Sequence, residues 1–126
     1  MENKEFAQKL EQRTKAFAIS IIKLSLKLGT LAEQKVVKTQ LTKSGTAIGA
    51  NYREANRARS NADFRNKIKI CESEASETQY WLDLISDMNW ISKKDIILIQ
   101  NECNELLALF TKIGYNLKIQ KIILVT

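Results

Sequence analysis

Residues 60–85 read SNADFRNKIKICESEASETQYWLDLI. Within them Phe64, Ile68, Cys71, Ala75, Thr78, Leu82 and Ile85 recur at alternating steps of three and four, which lines them along one side of a helix. Ser60 stands three residues ahead of Asp63. In that spacing a hydroxyl accepts from one of the unpaired amides that open a helix.

The same signals extend outward in both directions. Upstream, Val37, Leu41, Ser44, Ile48, Asn51 and Ala55 form a second stripe, opened by the capping-box pattern Thr30-Leu-Ala-Glu33. Before it, Ala7, Leu10, Thr14, Phe17, Ile21, Leu24 and Leu28 form a third stripe, and Gly29 follows where a left-handed C-cap residue belongs. Downstream, Ser92-Lys-Lys-Asp95 opens Ile96, Ile99, Cys103, Leu106, Phe110, Ile113 and Leu117. The pattern predicts helices over 4–28, 31–58, 61–88 and 93–118. It leaves 119–126 as a tail that either extends the fourth helix or frays. With short connections, sequential helices run antiparallel, so the fold expected is all-α: an up-down-up-down four-helix bundle in one domain, 1–118.

Composition agrees. The 126 residues hold no proline, four glycines and no histidine. Sandwiches and barrels need turn residues every ten or so positions, which this chain lacks. The missing histidine excludes histidine-based triads and most zinc centres. No Gly-rich phosphate loop, serine elbow or zinc spacing occurs, so neither enzyme activity nor a cofactor is expected. MENKEF is not a signal peptide, no apolar run approaches the roughly 20 residues of a membrane span, and Cys71 and Cys103 sit in apolar stripes. The expectation is a cytoplasmic protein with buried thiols and no membrane partner.

The stripes are wider than a bundle core requires. Ile19, Ile22 and Leu26, then Tyr80, Trp81, Leu84 and Met88, then Ile97, Leu98, Leu107 and Leu109 add apolar surface that solvated helix faces seldom carry, which points to a homo-oligomer. Gly45 and Gly49 lie four apart in the second helix. Each costs about 0.5–1 kcal/mol relative to alanine, so their presence implies close approach of another backbone.

The net charge of +6 is uneven. Residues 35–69 hold nine basic and two acidic groups, whereas 70–105 hold two basic and eight acidic. Arg53, Arg57, Arg59 and Arg65 fall within thirteen residues around one turn, with Lys67 and Lys69 following. Arginine there suits bidentate phosphate contact, and Tyr52 offers a ring for a base, so RNA or DNA binding is one reading. Pairing of these arginines with Glu54, Asp63 or a neighbouring subunit's acids is the other. Ser44, Asn51 and Thr78 on the stripes, with Glu54, Glu74 and Glu77 beside them, suggest a buried polar network that fixes helix register. A ferritin-like metal site would need a Glu-x-x-His pair, and there is no histidine.

Lys43-Ser-Gly-Thr-Ala-Ile-Gly-Ala-Asn51, Glu54-Ala55, Ser60-Asn-Ala-Asp-Phe64, Ile70 and Glu74-Ala-Ser-Glu-Thr-Gln-Tyr-Trp-Leu82 resemble the bacterial four-helix bundle family of proteins encoded in 23S rRNA intervening sequences, often named as a ribosomal protein family. Lys43, Ala47 and Cys71 depart from the Arg, Ser and Ala usual at those positions. The resemblance spans about 40 residues. It implies a non-enzymatic bundle assembled into a ring, a cyclic homo-oligomer and typically a homopentamer. A related branch, the accessory proteins of diversity-generating retroelements, works with nucleic acid. Two functions follow as expectations: nucleic-acid binding through Arg53, Arg57, Arg59, Arg65, Lys67 and Lys69, or a protein-interaction scaffold with a protein partner.

Overall fold

A computed structural model describes residues 4–125, with side chains through position 121. The described residues form four helices and no strand: α1 (Lys4–Ser25), α2 (Ala32–Ala55), α3 (Asn61–Asp87) and α4 (Lys93–Val125). α1 packs on α2 and α4, and α3 packs on the same two, while the diagonal pairs stay apart. The core lies between them, where Ile21, Leu41, Ile48, Ile68, Leu82, Ile85, Ile96, Leu106 and Phe110 are completely buried. These are positions of the four stripes, since a helix can turn only one such stripe inward.

The caps explain where the helices begin and end. Ser60 Oγ accepts from the Asp63 amide at 3.0 Å and Ser92 Oγ from the Asp95 amide at 3.3 Å. The start expected at Thr30 lies one residue later: Leu31 is the N-cap, and the Gln34 side chain reaches back to accept from the Leu31 amide at 3.2 Å. α3 ends one residue before the expected position, and α1 and α2 end three before it, because the last amides after α1 and α2 reach back three residues rather than four. Lys27 and Leu28 donate to Leu24 and Ser25, and Arg57 and Ala58 to Glu54 and Ala55. Gly29 does not adopt the left-handed conformation expected of it.

Asn89 takes that conformation instead, at φ 57°. The Asn89 amide donates to Ser86 and the Trp90 amide to Ile85, so two carbonyls at the end of α3 are satisfied by a Schellman turn. Trp90 folds back against the core. At the other end of the chain α4 continues as helix past position 118, through Val125. Thr126 lies outside the described residues, as do the side chains of 122–125.

The inter-helix contacts set the register. Thr78 Oγ1 is hydrogen-bonded to Ser44 Oγ at 2.9 Å and Cys71 Sγ to the Ile48 carbonyl at 3.6 Å. Between α3 and α4, Gln79 donates to Asn104 at 2.8 Å, and Thr111 donates to Glu72 at 2.8 Å. A β-carbon on Gly45 would stand 2.8 Å from two carbons of Ile21, and one on Gly49 would stand 3.1 Å from Thr14 Oγ1. Both neighbours are on α1, but only Gly49 comes up against its backbone, at the Thr14 carbonyl carbon 3.3 Å away; what closes on Gly45 is the Ile21 side chain. α1 and α4 touch least, and their seam is held by charge. Arg13 donates from Nε and Nη2 to both oxygens of Glu102, at 2.7 and 2.8 Å, and from Nη2 to Glu105 at 2.8 Å, while Lys27 pairs with Asp95 at 3.6 Å. Hydrogen bonding to Glu102 holds the Arg13 proton above its ordinary affinity, against the opposing effect of burial.

Candidate nucleic-acid interface

The α2–α3 turn joins the last turn of α2 to the first of α3, so the charge-rich stretch forms one end of the bundle. Arg53, Arg57, Arg59 and Lys69 are exposed there, and Arg65 and Lys67 are half-buried. Arg57 and Arg59 stand in the turn itself, beyond the end of α2, whereas Arg53 lies in its last turn. The six cations do not converge on one concavity. Arg53 lines a groove of about 420 Å³ between α1 and α2, with Glu11, Gln12 and Lys15. Arg65 and Lys69 line another, of about 500 Å³, between α3 and α4.

Among the described residues, none of the six makes an ion pair, although Glu54 and Asp63 are close in sequence. The fifth arginine, Arg13, is the one that pairs, across the α1–α4 seam. The contrast has a physical reading. Where the fold needs an arginine for cohesion it supplies carboxylates, and at the α2–α3 end Arg53, Arg57 and Arg59 are exposed to solvent without them. Such groups raise the local positive potential and leave their planar donors available to phosphate oxygens.

Tyr52 is not available to a base. It is 1% exposed and its ring packs edge-on to Phe110, with centroids 5.5 Å apart. The exposed ring at this end is Tyr115, on the same α3–α4 groove as Lys118 and Lys121. Sequence reading left these three aside because they fall at or near the tail. Their spacing of three residues, which sets them on one face of a continuing helix, was the available signal.

The polar residues expected to form a network are distributed differently. Ser44 and Thr78 are fully buried and bonded to one another, and Thr78 also bonds to the Glu74 carbonyl at 2.7 Å. Asn51 donates to the Ala47 carbonyl of its own helix at 2.9 Å. The Glu74 side chain is half-buried. Burial raises its pKa, Glu77 raises it further, and Lys43 opposes them. Glu77 is exposed and accepts from the Trp81 indole at 3.2 Å, so its removal leaves no buried partner unsatisfied. Glu54 is also exposed. The inner network is therefore a single hydroxyl pair, with the carboxylates outside it. Burial pushes both thiols, Cys71 and Cys103, up to about 12. Among the described residues no cluster of three or more metal-binding side chains occurs, and no helix is long and apolar enough to cross a membrane.

Comparison with curated proteins finds no match. A solved structure from Bacteroides thetaiotaomicron VPI-5482, described as a protein with unknown function from the S23 ribosomal protein family, is 40% identical to this chain. The similarity covers 82% of this chain and 96% of that one, with a TM-score of 0.75. The family model for the 23S rRNA-intervening sequence protein matches residues 6–112. The match takes in α1, α2, α3 and most of α4, and on that extent the chain belongs to the 23S rRNA-intervening sequence protein family.

Proposed function

We propose that this protein is a non-enzymatic, cytoplasmic bundle that assembles into a ring and binds RNA or DNA phosphates at its α2–α3 end. The observation that carries the reading is the absence of ion-pair partners for Arg53, Arg57, Arg59, Arg65, Lys67 and Lys69 among the described residues, in a chain that pairs its remaining arginine twice. Contact with phosphate is sequence-tolerant and salt-sensitive, because guanidinium and ammonium groups here face a backbone charge rather than base edges.

The contact register supports an antiparallel, up-down-up-down arrangement: Ser44 meets Thr78 while Ile48 meets Cys71, and Glu72 meets Thr111 while Gln79 meets Asn104. Exposed apolar side chains support assembly. Ile19 and Ile22 on α1, Leu26 just past its end at 70% exposure, and Ile97 and Leu98 on α4, the latter at 77%, lie toward the end that holds the Lys27–Asp95 pair. The family resemblance favours five copies, about 72 kDa from a 14.4 kDa chain. Sedimentation at micromolar concentration that finds only the single chain removes the ring.

Titration of labelled RNA and DNA at two salt concentrations tests the binding. Wild type binds more tightly than the Arg53/Arg57/Arg59 triple alanine variant, and the difference narrows at high salt. Equal affinities would replace this reading with a protein-interaction scaffold. The same exposed apolar residues, together with the acidic stretch over 70–105, would then serve a protein partner.

A further inference from the structure

The groove between α3 and the end of α4 is more specific than a basic surface. Arg65 and Lys69, one turn apart on α3, face Lys118 and Lys121, one turn apart on α4, across about 500 Å³. The acid on its lining is Glu72, whose carboxylate already accepts from the Thr111 hydroxyl at 2.8 Å. None of the four cations has an ion-pair partner among the described residues. Like charges brought together around a concavity repel, so the arrangement is most stable with an anion between them. The fourth helix carries this function beyond the family match, which ends at residue 112, because Tyr115, Lys118 and Lys121 all follow that point.

Tyr115 decides which anion. Its side chain is 63% exposed on the lining of the groove, one helical turn from Lys118. A free phosphate has no use for an aromatic face, and in a duplex the bases are stacked on each other. An unpaired base on a flexible backbone can stack on the ring while its phosphates lie along the cations. Resting on the proposed nucleic-acid reading, we propose that the α3–α4 groove is a single-strand binding site: Arg65, Lys69, Lys118 and Lys121 hold the phosphates of an unpaired RNA or DNA segment, and Tyr115 stacks one of its bases.

The test uses the full chain with labelled oligo-dT and oligo-rU of about twelve nucleotides and a duplex of equal length. Tyr115→Ala is expected to weaken single-strand binding about tenfold and duplex binding less than about twofold, with Tyr115→Phe restoring it. Lys118→Ala with Lys121→Ala is expected to lower the slope of log affinity against log salt on single strands by about 1.4, about 0.7 for each cation. Tyr115 is exposed, so an unchanged melting curve accompanies these losses. Equal loss on single strand and duplex in Tyr115→Ala overturns the stacking assignment. Unchanged single-strand binding in both groove variants, with loss in the Arg53/Arg57/Arg59 triple variant, overturns the groove and leaves the basic-end reading standing. No binding of any oligonucleotide by wild type overturns both.

Discussion

Alanine in place of Gly45 would put its β-carbon 2.8 Å from Cγ1 and Cγ2 of Ile21 and 3.1 Å from Cβ. Carbon atoms pack best at about 3.5–4.0 Å, so the new atom overlaps its neighbours by about 0.7–1.2 Å. Ile21 cannot yield easily, since it is completely buried and β-branched, with one preferred χ1 rotamer in a helix. Overpacking of this kind costs about 1–3 kcal/mol, set against a helix-propensity gain of about 1 kcal/mol for replacing glycine. Gly114 is the internal control. A β-carbon there meets its nearest neighbours at 3.9 Å, ordinary contact, so Gly114→Ala keeps the propensity gain. Urea unfolding followed by far-ultraviolet circular dichroism at one protein concentration should separate the two variants by about 1–3 kcal/mol. Ile21→Ala removes both γ carbons, so the Gly45→Ala/Ile21→Ala pair should be less destabilised than the sum of its single changes, by more than about 0.5 kcal/mol. Gly45→Ala as stabilising as Gly114→Ala, or an additive cycle, would refute the close-approach argument.

Asn89→Ala forces an ordinary side chain into the left-handed region and should lower stability by about 1 kcal/mol, whereas Asn89→Gly should not; the same denaturation assay checks both. For Glu74, a folded pKa raised above the ordinary 4.5 by burial and by Glu77 means that the fold holds the proton more tightly than the unfolded chain. Its stabilising effect is present below the unfolded value and is lost as pH rises through the folded one. Glu74→Gln should therefore raise the melting temperature at pH 7, with the gain shrinking as pH falls toward 4.5; an equal gain at all pH values would contradict it. Cys71 and Cys103 are fully buried, with thiols pushed up to about 12, so a disulfide-exchange reagent at pH 8 should titrate neither in the native protein and both in denaturant.

The helices were legible because their evidence is local. A serine three residues ahead of an aspartate identified two helix starts, and apolar steps of three and four identified which side turns inward. What escaped depended on choices between neighbouring residues. Thr30 matched a cap pattern, but α2 begins after Leu31, where Gln34 satisfies the open amide. Gly29 suited a left-handed turn, yet the position that takes one is Asn89, between α3 and α4. Tyr52 stood beside arginines in the chain and was read as accessible. Its four-residue step from Ile48 places it on the buried stripe, and the structure packs it on Phe110. Of the site, the cluster around the α2–α3 turn was visible as charge density. The groove was not, because it needs α3 and the far end of α4 to lie side by side, and that depends on the length of α4.

The sparsely packed α1–α4 seam bears on how the bundle comes apart. α1 and α4 are farthest apart along the chain, so closing them against each other costs more loop-closure entropy than forming either neighbouring hairpin. Their contact is also the thinnest, and it is fastened by Arg13, Glu102, Glu105, Lys27 and Asp95, all partly solvated. The seam is therefore where the bundle opens first, with α1 still docked on α2 and α4 still docked on α3. An opened seam leaves two helix pairs, each shaped to receive the other, which the matching pair of a second molecule fits equally well, so the seam is the route by which this bundle would exchange helices between copies.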